Sequence, residues 1–313
     1  MPRLSIVIPF LGGVGRLEDT LVSVLENRPA DCQILVVLGQ PYEDPYALAG
    51  EVCFLKACAE SGLMDCVALG IDASRAPIVH VLGCGVEATC GWADAALGHF
   101  DDPAIAAVAP LVVDRFDRRK ILSAGLKYTL GGGVRRIAAG QALEHLPPEP
   151  GNLCGADVLA SFYRKAALEA VMPWLDHAAG CLVGADWALA LRHARYRAVL
   201  EPSCLVAATH DALAARRTLR EGLAAERLFW RWAPTRGWTR SLAGHALLLG
   251  LECLQCLVHP LLVYRLAGRF WANLQIAAHR RHWRRIAQPI GSPAAVIRPP
   301  HFITHDCQRR TAG

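Results

Sequence analysis

Apolar residues in this chain fall first into short unbroken runs and later into long helical stripes. Leu4 to Phe10 is a continuous apolar run of the kind a strand buried on both faces requires. A turn with Gly12, Gly13 and Gly15 follows, and Leu17, Leu21, Val24 and Leu25 then recur at helical spacing. Gln33 to Leu38 reads as a second strand. Residues 46–63 read as a helix with Leu48, Val52, Leu55 and Ala59 on one face, and Cys66 to Leu69 as a third short strand. Ile78 to Leu82 is the fourth strand and, after a helix around residues 91–100, Ile105 to Val113 is the fifth. Helices from Arg164 to Val171 and Ala185 to Ala194, then a strand from Tyr196 to Leu200, complete this part.

Strands alternating with helices imply an α/β fold, a mostly parallel sheet flanked by helices and wound through right-handed crossovers. Ligands of such sheets bind beyond the carboxyl ends of the strands. The loops after Pro9, Leu38 and Leu82 are therefore the expected site. Residues 118–152, rich in glycine and proline, suit an excursion over that site rather than core.

The C-terminal third has a different grammar. Residues 1–210 hold 17 Lys and Arg against 23 Asp and Glu; residues 211–313 hold 16 against 5, and all 16 are arginines. This shift marks a boundary, so three regions are expected: a domain at 1–210, a basic and partly apolar helical region at 211–286, and a loosely ordered tail at 287–313. Within the second, Ser241 to Leu266 has no cation before Arg265 and is nearly long enough to cross a bilayer. His245, Glu252, Gln255 and His259 interrupt it, Pro260 would kink it, and a central glutamate is expensive in lipid. Segments holding Arg216 to Arg240 with Trp230, Trp232 and Trp238, and Arg265 to Arg285 with Trp271 and Trp283, flank it. Arginine with tryptophan suits helices lying on an anionic membrane surface, which is favoured over a soluble appendage and over a true span. The same charge would suit nucleic acid, but no recognition module accompanies it, and no nucleic-acid partner is expected.

The other 210 residues of this 313-residue chain, with 53% hydrophobic and 19% charged residues overall, can bury a sizeable core. Met1 runs almost directly into the first strand, with no signal-peptide pattern, so a cytoplasmic position at the inner face of the membrane is expected. The twelve cysteines are scattered as small buried hydrophobes would be. Cys253 and Cys256 with His301, His305 and Cys307 have a zinc-ligand composition, but the 44 residues between the halves far exceed finger spacing.

Five segments together resemble a family-2 glycosyltransferase of the A-type nucleotide-sugar fold. They are Leu4 to Pro9, Leu69 to Leu82, Gly91-Trp92 through Pro110, Ile121 to Gly125 with the glycines after it, and Gly184 to Arg192 with Tyr196 to Pro202 and His210. The resemblance implies a nucleotide-diphospho-sugar donor, a glycan or lipid-linked acceptor, and a donor site drawn from Pro9, Phe10, Gly39, Asp44, Gly83, Gly85 and His210. It also exposes departures. Where the family has an acid after the second strand, this chain has Gly39-Gln40, with Asp44-Pro45 matching only the end of that loop. Where the family has Asp-x-Asp to hold a divalent cation, this chain has Gly83-Cys84-Gly85. No metal cofactor is therefore expected; Mg²⁺ or Mn²⁺ would need another acid, and Glu87 would have to fold back.

In the late motif Ala185 replaces one acid but Asp186 remains, and the resemblance implies that Asp186 is the base of an inverting transfer. Its plain alternative is an acid favouring a helix N-terminus. His210 is either a diphosphate contact or an ordinary strand-end histidine. Trp92 and Trp187 are packing residues or sugar platforms, and Gly131 to Gly133 closes over an acceptor or is a surface loop. Two functions follow: a transferase without the usual metal, or a catalytically inactive homologue that binds a sugar, a lipid or a partner protein.

Overall fold

The computed structural model describes residues 1–58, 61–147, 153–175, 180–209 and 218–286. The fold is a mixed α/β sheet flanked by helices. The chain runs through β1 (Leu4–Phe10), α1 (Val14–Glu26), β2 (Cys32–Leu38), β3 (Cys53–Lys56), α2 (Leu63–Ala73), β4 (Ile78–Leu82), β5 (Val86–Ala88) and α3 (Asp94–Gly98). Then come β6 (Ile105–Asp114), β7 (Ile121–Ser123), β8 (Leu126–Tyr128), β9 (Val134–Arg136), β10 (Ala160–Arg164), α4 (Lys165–Val171), α5 (Val183–His193) and β11 (Arg197–Ala208). The last helices are α6 (Leu219–Trp232), α7 (Trp238–Cys256), α8 (Leu262–Asn273) and α9 (Ile276–Ile286).

The main sheet has the order β3-β2-β1-β4-β10-β6-β11-β5, with β7 joined to β6. β1, β2, β3 and β4 are mutually parallel, whereas β10 runs antiparallel to both β4 and β6. All seven residues of β1 are buried, as its uninterrupted apolar run requires.

Three expectations are corrected. Residues 46–63 are not a helix: a single 3-10 turn at Leu48–Gly50 leads into β3, a half-buried edge strand. Cys66 to Leu69 is not a strand but the middle of α2, which buries Met64, Val67 and Ile71 along one face. A short apolar run does not distinguish a buried strand from a buried helix face, and here the local start signal decides. Asp65 Oδ2 accepts from the Gly62 amide at 2.9 Å and caps the first turn. Gly70 then lets α2 settle on β1, where any Cβ would collide with Val7. Finally, 118–147 is more than an excursion, because Ile121 and Leu122 of β7, Leu126 of β8 and Ala124 between them are core residues. The tail at 287–313 lies outside the described residues.

The apolar stretch at 241–266 is split. α7 ends at Cys256, a turn holds residues 257–261, and α8 folds back so that Arg265 and Arg269 reach Glu252 of α7. Among the described residues no helix is long and apolar enough to cross a membrane. α6 supplies Leu228 and Trp232, and α9 supplies Ile286, to the same apolar cluster as Trp187 of α5.

Candidate functional site

The carboxyl ends of β1, β2 and β4 converge, held by backbone contacts that leave little freedom. The Gly39 amide donates to Phe10 O at 2.9 Å, and a Cβ at Gly39 would sit 2.8 Å from Leu11 Cδ2 and 3.0 Å from Cys66 Sγ. Gly12 (φ 124°) faces the Gln40 side chain, and Gly13 (φ 85°) opens α1 in the left-handed region beside the Arg16 guanidinium. Arg16 is exposed at this mouth.

The loop after β2 carries the polar groups best suited to a ligand. Tyr42 lies between Phe10 and Phe54, with ring centroids 5.9 and 5.8 Å away. Burial, then the charges of Glu18 and Asp44, push its phenol above the ordinary tyrosine value. Tyr42 Oη and Asp44 Oδ1 are both buried and have no hydrogen-bond partner among the described residues. Buried polar atoms are seldom left in this state, and a donor from a ligand would satisfy both. Pro9, Phe10, Gly39 and Asp44 thus meet at one edge, and Tyr42 and Arg16 join them. Neither is legible in the sequence alone: a tyrosine four residues past a strand and an arginine in a first helical turn have no periodic signature.

The β4 end disfavours side chains at both of its glycines, by crowding at Gly83 and by backbone conformation at Gly85. The Gly83 amide donates to Leu159 O at 2.8 Å, and a Cβ on Gly83 would meet Leu159 Cβ at 3.0 Å. Gly85 has φ 89°, and its amide donates to Thr20 Oγ1 at 2.9 Å. Between them, the Cys84 thiol donates to Pro9 O at 3.3 Å. Burial pushes that thiol up to about 12 against the opposing charge of Arg16, so Cys84 is an inert packing group rather than a nucleophile. Glu87 does not fold back toward this turn. It pairs with Arg115 Nε at 2.9 Å, and Arg115 Nη1 reaches Asp19 Oδ2 at 2.7 Å. Among the described residues no group of three or more His, Cys, Asp or Glu side chains is placed to hold a metal.

Asp186 occupies the first turn of α5 and is 0% exposed. Its Oδ2 accepts from Arg231 Nη1 at 2.9 Å and its Oδ1 from Trp232 Nε1 at 2.8 Å. Arg231 also donates to Trp174 O and lies 3.4 Å from His282 Nδ1. The carboxylate is thus held from the C-terminal arm, by residues 45 and 46 positions downstream. Trp92 and Trp187 are both fully buried, against His80 and Phe162 and against Tyr163 respectively, and serve as packing. Gly131 to Gly133 docks on the arm: Gly131 O lies 2.8 Å from His245 Nδ1, and Gly132 abuts Phe229. His210 lies outside the described residues, as do His301, His305 and Cys307.

No family model and no curated protein matches this chain. Solved structures do. GalNAc-T7, determined with UDP, GalNAc and Mn²⁺, superposes with a TM-score of 0.58 at 14% identity over 74% of this chain and 48% of its own. This chain therefore spans about half the length of that protein. The mannosyltransferase PcManGT from Pyrobaculum calidifontis, in complex with GDP-Man and Mn²⁺, gives a TM-score of 0.50 at 14% identity, covering 91% and 87% of the two chains. The architecture is that of the A-type nucleotide-sugar glycosyltransferases.

Proposed function

We propose that this chain binds a nucleotide-diphospho-sugar at the carboxyl edge of β1, β2 and β4 and transfers the sugar, with inversion, to a membrane or cell-envelope acceptor. The observation that carries this reading is the pair of unpartnered buried atoms, Tyr42 Oη and Asp44 Oδ1, at the edge where the fold receives its nucleotide. Resemblance to family 2 in the five sequence segments supports the same assignment. Residues 83 and 85 stand where that family carries its metal-binding acids, and they do not fit a divalent ion. They bring no carboxylate, and Leu159 fills the space into which a side chain at 83 would grow.

In the transfer, the acceptor hydroxyl oxygen bonds to the anomeric carbon as the bond from that carbon to the diphosphate oxygen breaks. The hydroxyl proton goes to Asp186, and the nucleoside diphosphate leaves. Its charge is met by Arg16 and by the amides that open α1. Asp186 can act only after Arg231 and Trp232 yield one of its oxygens, because both oxygens accept from the arm. That engagement favours the second reading, a catalytically silent homologue that keeps the donor pocket. The Arg- and Trp-rich arm, in either case, attaches the protein peripherally to the inner face of a membrane.

Calorimetric titration with a panel of nucleotide sugars, with and without Mn²⁺, tests the donor site. Binding that is indifferent to Mn²⁺ and lost in Asp44→Asn is expected; no binding to any donor would sink both readings of the pocket. Asp186→Asn should abolish turnover while leaving donor affinity intact. Turnover that survives the substitution removes Asp186 from the base role.

A further inference from the structure

Helices α7 and α8 are folded inside out. A helix in a water-soluble domain turns its apolar stripe to the core and its charges to solvent. In α7 the residues buried against the protein are Ser241, His245 and Glu252. The opposite stripe holds Leu247, Leu251, Leu254 and, just past its end, Val258, all at least half exposed. In α8 the buried side carries Arg269 and Gly268 with Leu262 and Ala272, and Arg265 also points inward to Glu221 and Glu252. Its exposed stripe is Val263, Phe270, Trp271 and Leu274. The turn between them exposes Leu257 at 83% and Val258 at 75%.

The charged groups of this interior are paired with one another, while Ser241 Oγ and Arg265 Nε are buried without a hydrogen-bond partner among the described residues. Arg269 Nε and Nη2 grip Glu252 at 2.8 and 3.0 Å, and Nη1 reaches Glu226 at 3.0 Å. His245 Nε2 lies 3.0 Å from Glu226 Oε1. Burial works to raise the Glu226 carboxyl, but the contacts with His245 and Arg269 outweigh it and hold the group below the usual glutamate value. α8 comes close enough to make these contacts because Gly222 of α6 and Gly268 meet the opposing backbone directly. All three acids of residues 218–286 (Glu221, Glu226 and Glu252) are buried here and paired with arginine. The outer surface of the arm consequently combines apolar stripes with exposed Arg220, Arg240, Arg281, Arg284 and Arg285 and shows no described acid.

We infer that the α7–α8 hairpin is the membrane-inserting element, entering one leaflet of an anionic phospholipid bilayer turn-first at Leu257 and Val258. The inference rests on the arm being a membrane attachment, and it adds which surface enters and why. An apolar face of this extent needs an apolar medium. A surface with cations and no described acids selects an anionic one over a protein partner of mixed charge. Glu252, which in the bare sequence argued against lipid, is turned away from it and neutralised by two arginines.

Flotation of the full chain with vesicles separates the possibilities. The wild-type protein should float with phosphatidylcholine vesicles containing phosphatidylglycerol, bind pure phosphatidylcholine about tenfold or more weakly, and lose affinity as salt rises. A Leu257→Asp, Val258→Asp variant should keep its circular dichroism and melting temperature, because both residues are exposed, yet bind about tenfold or more weakly. Trp271 fluorescence should shift to the blue on anionic vesicles in the wild type only. Wild-type binding that the variant shares would overturn the hairpin as the inserted element while leaving attachment by the arm intact. No flotation at all would overturn insertion, and a concentration-dependent dimer broken by the same substitutions would overturn it and assign the face to a second copy. Each result is independent of the donor titration: a chain that floats but binds no nucleotide sugar keeps this inference and loses the transferase reading.

Discussion

The sheet has an apolar interior, whereas the C-terminal arm buries a charged cluster beside its apolar contacts. Around β1, β2 and β4 the interior is Leu, Ile and Val almost without interruption. Inside the arm, Glu226, Glu252, His245 and Arg269 meet one another while leucines face outward. The contrast teaches that hydrophobic burial depends on the medium beside each surface, and the proposed insertion of the hairpin would give the arm's outer leucines an apolar one.

The largest effect expected from breaking this contrast is at Arg269. Arg269→Ala leaves Glu252 only Arg265 and Glu226 only His245 as charged partners and should cost about 3–5 kcal/mol, read from urea unfolding. A loss below about 1 kcal/mol would mean the network is solvated and the arm's interior is not dry. Next, leucines in the two regions should respond unequally. Leu17→Ala, at a fully buried site against the sheet, should cost about 2–5 kcal/mol. Leu254→Ala, on the outer stripe of α7, should change stability in water by no more than about 0.5 kcal/mol. Equal losses would show that the α7 stripe is covered by protein after all.

Smaller changes probe the β4 end. Gly83→Asp overpacks against Leu159 and should cost about 1–3 kcal/mol without creating Mn²⁺ affinity, measured by thermal shift with and without the ion. A clear Mn²⁺-dependent rise in melting temperature would show that the pocket accepts a carboxylate. Just upstream, His80 stacks on Phe162 at 3.9 Å, and burial pushes it down to about 3, with the backbone of Ser161 opposing only in part. The folded value lies below the unfolded one, near 6.5, so the unfolded chain binds the extra proton between them. Stability from this residue is complete above about pH 6.5 and falls as pH drops toward 3, by up to about 1.4 kcal/mol per pH unit. His80→Phe should flatten that limb of the stability profile; an unchanged slope would place its origin in other groups.

Much of the fold can be read from the chain because β1, β2, β4 and β6 are long apolar runs that only a doubly covered sheet accommodates. The exchange of β3 and α2 shows where periodicity fails: three half-buried residues before the exposed Lys56, and the six-residue apolar run from Cys66 to Ile71, each fit both templates, and the Gly62–Asp65 cap decided between them. β10 escaped notice because its antiparallel place between β4 and β6 is set by pairing partners far away in sequence. The candidate site was legible as loops, by the rule that sheets of this kind bind at their carboxyl ends. Its closures were not. Leu159 over Gly83 and Arg231 with Trp232 on Asp186 are contacts between segments 45 or more residues apart, and no local pattern announces them.

The ion cluster inside the arm has a consequence for heat. The cost of taking charges out of water declines on warming, because their hydration grows less favourable, whereas apolar burial levels off per unit area. Glu252 between Arg265 and Arg269 is therefore a joint that tightens with temperature relative to the leucine and valine core beneath the sheet. In a thermal melt the arm should outlast its share of the structure.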